Sequence, residues 1–367
     1  MYSNDNRTVM TLDAGGTNLV FNAIRENKVI TAEVRKPAFA SDLNACLNSI
    51  RIGFEEILLQ LDEKPVAISF AFPGPADYPN GIIGGFLPNF PCFREGVALG
   101  AYLQNIFSLP VFINNDADLF TYGEALGGVL PDINQQLLNL GNEKQYKNLI
   151  GFTWGTGLGM GITVDRKMHI GDNSCSEVFC LPCKGMPDVI AEEGASIRAV
   201  KRVYNQLSGN KDPNIEPFDI FQIAEGTKIG DQKAAIAAFA AFGEVAGEII
   251  AVTATLIDGI VVIGGGICNA SQYIMPSVMK ILKSKMKTLS GETLNRLQME
   301  VFNLDKPDDF IQFAQADCQK IPIIGSSETA NYYHHKKIGI ITSKLGASYA
   351  VAIGAYAFAL NELDNIQ

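Results

Sequence analysis

Charge is scarce in this sequence: only 19% of its 367 residues are charged, against 47% that are hydrophobic. That balance excludes an intrinsically disordered chain, which needs dense charge and few apolar residues. Basic side chains are the scarcer sign, 29 Lys and Arg against 39 Asp and Glu, for a net charge of −10. A general phosphate-backbone binder needs a basic stripe, so nucleic acid is not an expected partner. Binding of one nucleotide depends on local backbone geometry and stays open. The 7 cysteines are an odd number, scattered from Cys46 to Cys318, which excludes a secreted disulfide framework. The least polar stretch, Leu345 to Leu360, is uncharged but only 16 residues long. It falls short of the roughly 20 residues needed to cross a bilayer and reads as a buried helix. Residues Met1 to Arg7 show neither a basic nor an apolar leader region. A cytoplasmic protein with no membrane partner is expected.

The length and the apolar fraction suit two or three domains with sizeable cores. Thr8–Leu12 reads as a strand ending at the turn Asp13-Ala-Gly-Gly-Thr-Asn18, and Leu19–Ile24 as the strand that returns from it. A further strand is expected around Val29–Val34. Ser41-Asp42 then caps a helix with apolar positions from Leu43 to Leu61. Val66–Phe72 is an apolar run of the kind covered on both faces, stopping at Pro73-Gly74-Pro75. Val97–Ile106 suits a helix, and Pro110–Ile113 a strand ending at Asn114-Asn115-Asp116. A similar cycle starts at Leu149–Thr153, with the turn Gly155-Thr-Gly-Leu-Gly159 and a strand at Met160–Val164. Helices are expected at about Val189–Gln206 and Ala234–Leu256, then a strand Ile260–Ile263 running into Gly264-Gly-Gly266. Met286 to Ile338 is irregular in pattern and reads as an insertion. The strand–turn–strand pattern at the start of each half predicts two α/β domains facing one another across a cleft. The boundaries read as 1–116, completed by the helix at about 345–361, and 117–344, with the insertion at about 286–338.

Adjacent glycines let a backbone turn tightly and bring N–H groups near an anion, and Thr17 adds a hydroxyl. An aspartate at a strand end, such as Asp13, can hold Mg²⁺ through water. An ordinary hairpin turn has the same composition. Recurrence separates the two readings: two Gly/Thr turns, one in each half, can grip one polyphosphate from both sides. Neither turn continues into Gly-Lys-Ser/Thr and a helix, so a Walker loop is excluded. Asn115-Asp116 sits where ligands gather in α/β folds, at a strand end. A carboxylate there can accept a proton from a hydroxyl while Asn115 holds its neighbour, although Asx residues also stabilise turns for local reasons. Glu177 reads by default as a surface carboxylate. Cys180-Leu-Pro-Cys183 supplies half of a zinc site and Cys175 a third thiolate, but a structural zinc needs four ligands. A redox pair or two loop cysteines fit the same spacing, and no metal ligand set is assigned. Gly264-Gly-Gly266 would let a flat ring approach the backbone. His334-His335 reads as an exposed polar pair without a role.

Together these motifs resemble the ROK family of bacterial sugar kinases and sugar-responsive repressors, within the actin-like ATPase superfamily. The resemblance rests on six motifs in order. They are Asp13-Ala-Gly-Gly-Thr-Asn18, Pro73-Gly-Pro75, Asn115-Asp116 with Gly123-Glu124, Thr153-Trp-Gly-Thr-Gly-Leu-Gly159, Ile260-Val-Val-Ile-Gly-Gly-Gly266 and Ser343-Lys-Leu-Gly346. It implies two ribonuclease-H-like α/β domains with ATP and sugar in the interdomain cleft, the last helix returning to the N-terminal domain. It further implies that Asp13, Gly15, Gly16, Thr17 and Asn18 line the phosphates, with Thr156 and Gly157 opposite and Gly265 and Gly266 beside adenosine. Asn89, Asn115, Asp116 and Glu177 would bind the sugar, Asp116 next to the reacting hydroxyl. Family kinases carry Glu-x-Gly-His and a cysteine cluster where this chain has Glu177-Val-Phe-Cys180 and Cys183. The second sugar-binding acid of the family would fall at Asp188, Glu192 or Glu193.

The function implied is ATP- and Mg²⁺-dependent phosphorylation of a hexose or N-acylhexosamine, with Asp116 as catalytic base and a homodimer or tetramer as the assembly. The alternative is a sugar-binding regulator or a kinase relic without turnover. Family repressors carry an N-terminal helix-turn-helix, and only seven residues precede the first strand here.

Overall fold

The computed structural model describes every residue except Met1, Pro75, Phe86, Lys211, Pro213 and Gln367. Pro75, the last residue of the expected Pro-Gly-Pro stop, therefore lies outside the described residues. The chain forms two compact α/β units, one of residues 1–131, 160–176 and 344–367, the other of 132–159 and 177–343. The first reaches past residue 116 because the helix Asp116–Gly127 packs on the C-terminal helix Ala347–Ile366 of the same unit.

In the first unit, Val9–Ala14 pairs antiparallel with Asn18–Arg25 and parallel with Ala67–Ala71, which pairs parallel with Val111–Asn114. The parallel register aligns Asp13 with Ala71 and Ala71 with Asn114, so these strands end along one edge. Ala67–Ala71 is buried at all five positions, as a strand covered on both faces must be. One face, carrying Ile68 and Phe70, joins Phe21, Phe54 and Phe72, where the Leu43–Leu58 helix packs, its N-terminus capped by the Asp42 carboxylate on Ala45 N–H. The other face meets Tyr356, Ala359 and Leu360 of the C-terminal helix. That helix crosses Asp116–Gly127 at two glycines: a Cβ on Gly123 would collide with the Ala350 carbonyl, and one on Gly354 with the Leu119 carbonyl. The strand expected at Val29–Val34 is instead two short ones, Lys28–Val29 and Val34–Pro37, each pairing with Asn18–Arg25.

The second unit is built on parallel strands in the order Glu300–Asn303, Lys337–Thr342, Ile260–Gly264, Leu149–Trp154. The helix Gln232–Ile257 is long and apolar enough to cross a membrane, but 61% of its most apolar window is buried inside the protein. Gly243 and Gly247 bring it against Ile274 and Ile281 of the helix Ser271–Leu282. Two expectations change here. The helix placed at Val189–Gln206 starts only at Ile197, because Met186–Ile190 pairs with Pro182-Cys183 and Ala191–Glu193 forms a single tight turn. The stretch 286–338 is regular: Glu300–Asn303 is a strand of the central sheet, joined by the helix Pro307–Ala314 and the hairpin Cys318–Pro322 with Thr329–Tyr333.

Candidate active site

In the first unit the expected residues converge on the edge where the parallel strands end. Asp13 is the fifth residue of Val9–Ala14, and the turn after it closes on itself, Gly15 N–H donating to the Asn18 carbonyl at 3.0 Å. The Thr17 carbonyl accepts from Ala38 N–H at 3.0 Å, which pins the far side of the turn. Gly16 is the close approach: a Cβ there would lie 3.2 Å from both the Cβ and the carbonyl oxygen of Asn89. Asn89 thus stands beside the turn, and Gly15 to Asn18 are exposed. Crowding by surrounding protein raises the Asp13 carboxyl above the ordinary carboxylate range, and the Glu33 charge pushes the same way.

Asn115 and Asp116 follow Val111–Asn114. Asn115 caps the helix Asp116–Gly127 by accepting from Ala117 N–H at 2.7 Å. The local Asx reading of this residue is therefore realised, and it fixes the backbone from which Asp116 projects. Asp116 shares that same N–H, its Oδ1 accepting at 2.9 Å. Its side chain touches solvent yet is ringed by protein. Desolvation raises its pKa, outweighing hydrogen bonds from the Ala117 and Asp116 amides, with the Asp13 charge adding to the rise. Asp116 thus lies within reach of the Asp13 charge.

In the second unit the two remaining turns also sit together. Gly264 registers with Thr153, so Gly265-Gly266 and Gly155-Thr-Gly157 leave the sheet side by side. Gly265 has φ +101°, and a Cβ on it would lie 2.7 Å from Trp154 N and overlap the Trp154 carbonyl. Only glycine fits. Gly266, by contrast, faces open space. Glu192, one of the three candidates for the second sugar-binding acid, supports the Gly155 turn. Glu192 accepts from Leu158 N–H at 3.1 Å and pairs with Arg198 at 2.7 Å, while Arg198 donates to the Thr156 carbonyl at 3.2 Å. Glu193 pairs with Arg202 at 3.0 Å and Arg198 at 3.2 Å, and Asp188 is exposed. The only cue in the sequence for this brace is a Glu-Glu pair upstream of Arg198.

Glu177 lies half-buried in the second unit. Gly161, in the strand Leu158–Val164, serves packing: a Cβ on it would strike the Ala117 carbonyl. Cys175 and Cys180 are exposed, and Cys183 is buried beneath Gly194. Among the described residues no three His, Cys, Asp or Glu side chains form a metal-sized group.

Glycine turns and acidic residues at the carboxyl ends of parallel strands, in two α/β units, define the architecture of the actin-like ATPase kinases. The ROK family model matches residues 9–302, and the chain belongs to the ROK family. A crystal structure of a glucokinase from Parabacteroides distasonis is 50% identical, with a TM-score of 0.90 over 98% of this chain and 99% of that one. An N-acetylgalactosamine kinase from a Shewanella species is 23% identical over 79% of this chain and 91% of its own length. A ROK glucokinase from Streptomyces griseus, solved with glucose and AMPPNP, is 18% identical with a TM-score of 0.60, covering 95% and 98% of the two chains. The protein is an ATP-dependent sugar kinase of this family.

Proposed function

We propose that the chain phosphorylates a hexose or an N-acylhexosamine, with Asp116 taking the proton of the attacking hydroxyl. The observation that carries this reading is the position of Asp116 at the first turn of a capped helix, water-accessible and with a raised pKa. A carboxylate of raised pKa is a better proton acceptor than an exposed one. The hydroxyl oxygen attacks the γ-phosphorus as the bond to the β-phosphate oxygen breaks, and the proton passes to the Asp116 carboxylate. Because phosphoryl transfer is loose and proton loss can come late, aiming the hydroxyl is the larger part of that service. Asn115, whose Oδ1 caps the helix by accepting from Ala117 N–H, would hold a neighbouring hydroxyl. Asn89 and Glu177 complete the sugar shell in this reading.

The turn at Gly15-Gly16-Thr17 offers backbone N–H groups and a hydroxyl to phosphate oxygens, with Asn18 closing it. The turn at Thr156-Gly157 does the same under the brace of Glu192. Gly266, with open space above its Cα, admits a flat purine, and Gly265 sets the backbone that makes this possible. Asp13 presents a hard, exposed carboxylate of the kind that holds Mg²⁺ through water, and the ion when bound would neutralise phosphate charge. A cytoplasmic setting, where ATP is supplied, accords with this reading. The 50% identity to a glucokinase favours an unsubstituted hexose over an N-acylhexosamine.

A coupled ADP-release assay across glucose, mannose, N-acetylglucosamine, N-acetylgalactosamine and N-acetylmannosamine tests it. Sugar-dependent ADP is expected, largest with glucose. ADP formation indifferent to every sugar would leave a relic or regulator as the better description. The brace gives a separate expectation. Glu192→Gln removes the charge assistance of the bond to Leu158 N–H and one of the two carboxylates paired with Arg198, so KM for ATP should rise about tenfold. KM for the sugar should stay within about twofold; an unchanged ATP KM would show that the turn holds its shape without Glu192.

A further inference from the structure

A cavity of about 490 Å³ in the second unit gathers Lys283, His334, His335 and Lys336. Four basic groups around one hollow are conspicuous on a chain whose net charge is −10. The His334 and His335 rings meet edge to face with centroids 4.7 Å apart, and Tyr332 stacks edge-on to His334 at 5.8 Å. Asn295, Gln298 and Glu300 supply amide and carboxylate groups to the same hollow, and the floor includes Leu282 and Leu297.

The cavity lies at the amino ends of Glu300–Asn303 and Lys337–Thr342. The glycine turns leave the carboxyl ends of Ile260–Gly264 and Leu149–Trp154 in the same parallel sheet. The cavity is therefore at the opposite end of that sheet from the second unit's glycine turns, and His334 to Lys336 fall outside the family match, which stops at 302.

We propose that this cavity is a second binding site, for a sugar phosphate, the chemical class of the kinase's own product; the choice of sugar rests on the sugar-kinase reading. A phosphate monoester carries about −1.5 to −2 charges at neutral pH and suits ammonium and imidazole donors. The volume is in the range of small-ligand sites. The charges also orient the ligand. The helix Ser271–Leu282 ends here, Lys283 N–H donating to the Met279 carbonyl at 3.0 Å, and a helix carboxyl end repels anions. Glu300 repels them too. The phosphate accordingly sits against His334, His335 and Lys336, and the sugar hydroxyls turn toward Glu300, Asn295 and Gln298.

Amide hydrogen exchange on the full chain tests this without turnover, using glucose 6-phosphate, inorganic phosphate and glucose as separate probes. Glucose 6-phosphate should slow exchange in peptides spanning 282–301 and 332–338, inorganic phosphate should do so more weakly, and glucose should not. In the triple variant His334→Ala, His335→Ala, Lys336→Met, all at exposed positions, the protection midpoint should rise about tenfold or more. Basal kinase activity and thermal stability of that variant should match the parent. Equal protection by inorganic phosphate would overturn the sugar specificity. Absence of protection, or protection undiminished in the variant, would overturn the site. A negative sugar panel alongside intact protection would strike the kinase reading and leave the binding result standing.

Discussion

Asp116→Asn is expected to lower kcat by about 10²–10⁴-fold, the range general-base assistance supplies. The substitution isolates proton acceptance from structure. An asparagine oxygen can still take the Ala117 N–H that the Asp116 carboxylate accepts at 2.9 Å, and Asn115 continues to cap the helix. Nucleotide affinity and thermal stability should therefore stay near the parent values. The pH profile adds an independent reading. Asp116 must be ionised to take a proton, and desolvation raises its pKa above the ordinary range. Activity should then fall as pH drops, with a midpoint above the value near 4 of an unperturbed carboxylate. Steady-state kinetics and nucleotide titration check all of this. A kcat within about tenfold of the parent, with the acid limb unmoved, would remove Asp116 from the proton transfer.

Gly354→Ala carries the largest expected effect on stability. The added methyl group would run into the Leu119 backbone carbonyl, and that oxygen belongs to the Asp116–Gly127 helix rather than to a side chain able to rotate away. Overpacking costs about 1–3 kcal/mol and more where nothing can yield. With about 3 kcal/mol lost, the melting temperature should fall by roughly 6–12 °C. Gly266→Ala is the matched control, because nothing lies within 4 Å of its Cβ position and its melting temperature should not change. The Gly354 variant should also lose kcat, since the helix it displaces begins at Asp116. Calorimetry on both variants decides the matter: equal melting temperatures would mean that the two helices can slide apart at little cost.

The sequence reads best where a motif is local. The return of the chain after Asp13, the cap at Asp42, the fully buried run at Ala67–Ala71 and the uncharged stretch up to Leu360 in the last helix all follow from composition within a few residues. It reads poorly where long-range pairing decides. Val189, Ile190, Ala191 and Ala195 mimic a helical stripe, yet Met186–Ile190 pairs with Pro182-Cys183. The resulting tight turn is what lets Glu192 reach Leu158, 34 residues away in sequence. Likewise Lys337–Thr342 looks like an end to an irregular stretch until its register with Ile260–Gly264 shows it as a strand of the sheet. Of the Gly265-Gly266 pair, the sequence cannot say which glycine the fold demands. The collision with Trp154 singles out Gly265.

The first unit is assembled from segments separated by most of the second: residues 1–131 find their last helix only at 344–367. At about 5–20 residues per second, ribosomal synthesis of the intervening residues 132–343 takes on the order of 10–40 s. Throughout that interval the face of Ala67–Ala71 destined for Tyr356 and Leu360 is bare. A nascent chain of this design presents a sticky sheet to the cell for far longer than a contiguous domain would, which makes the emerging N-terminal segment the natural client of a chaperone.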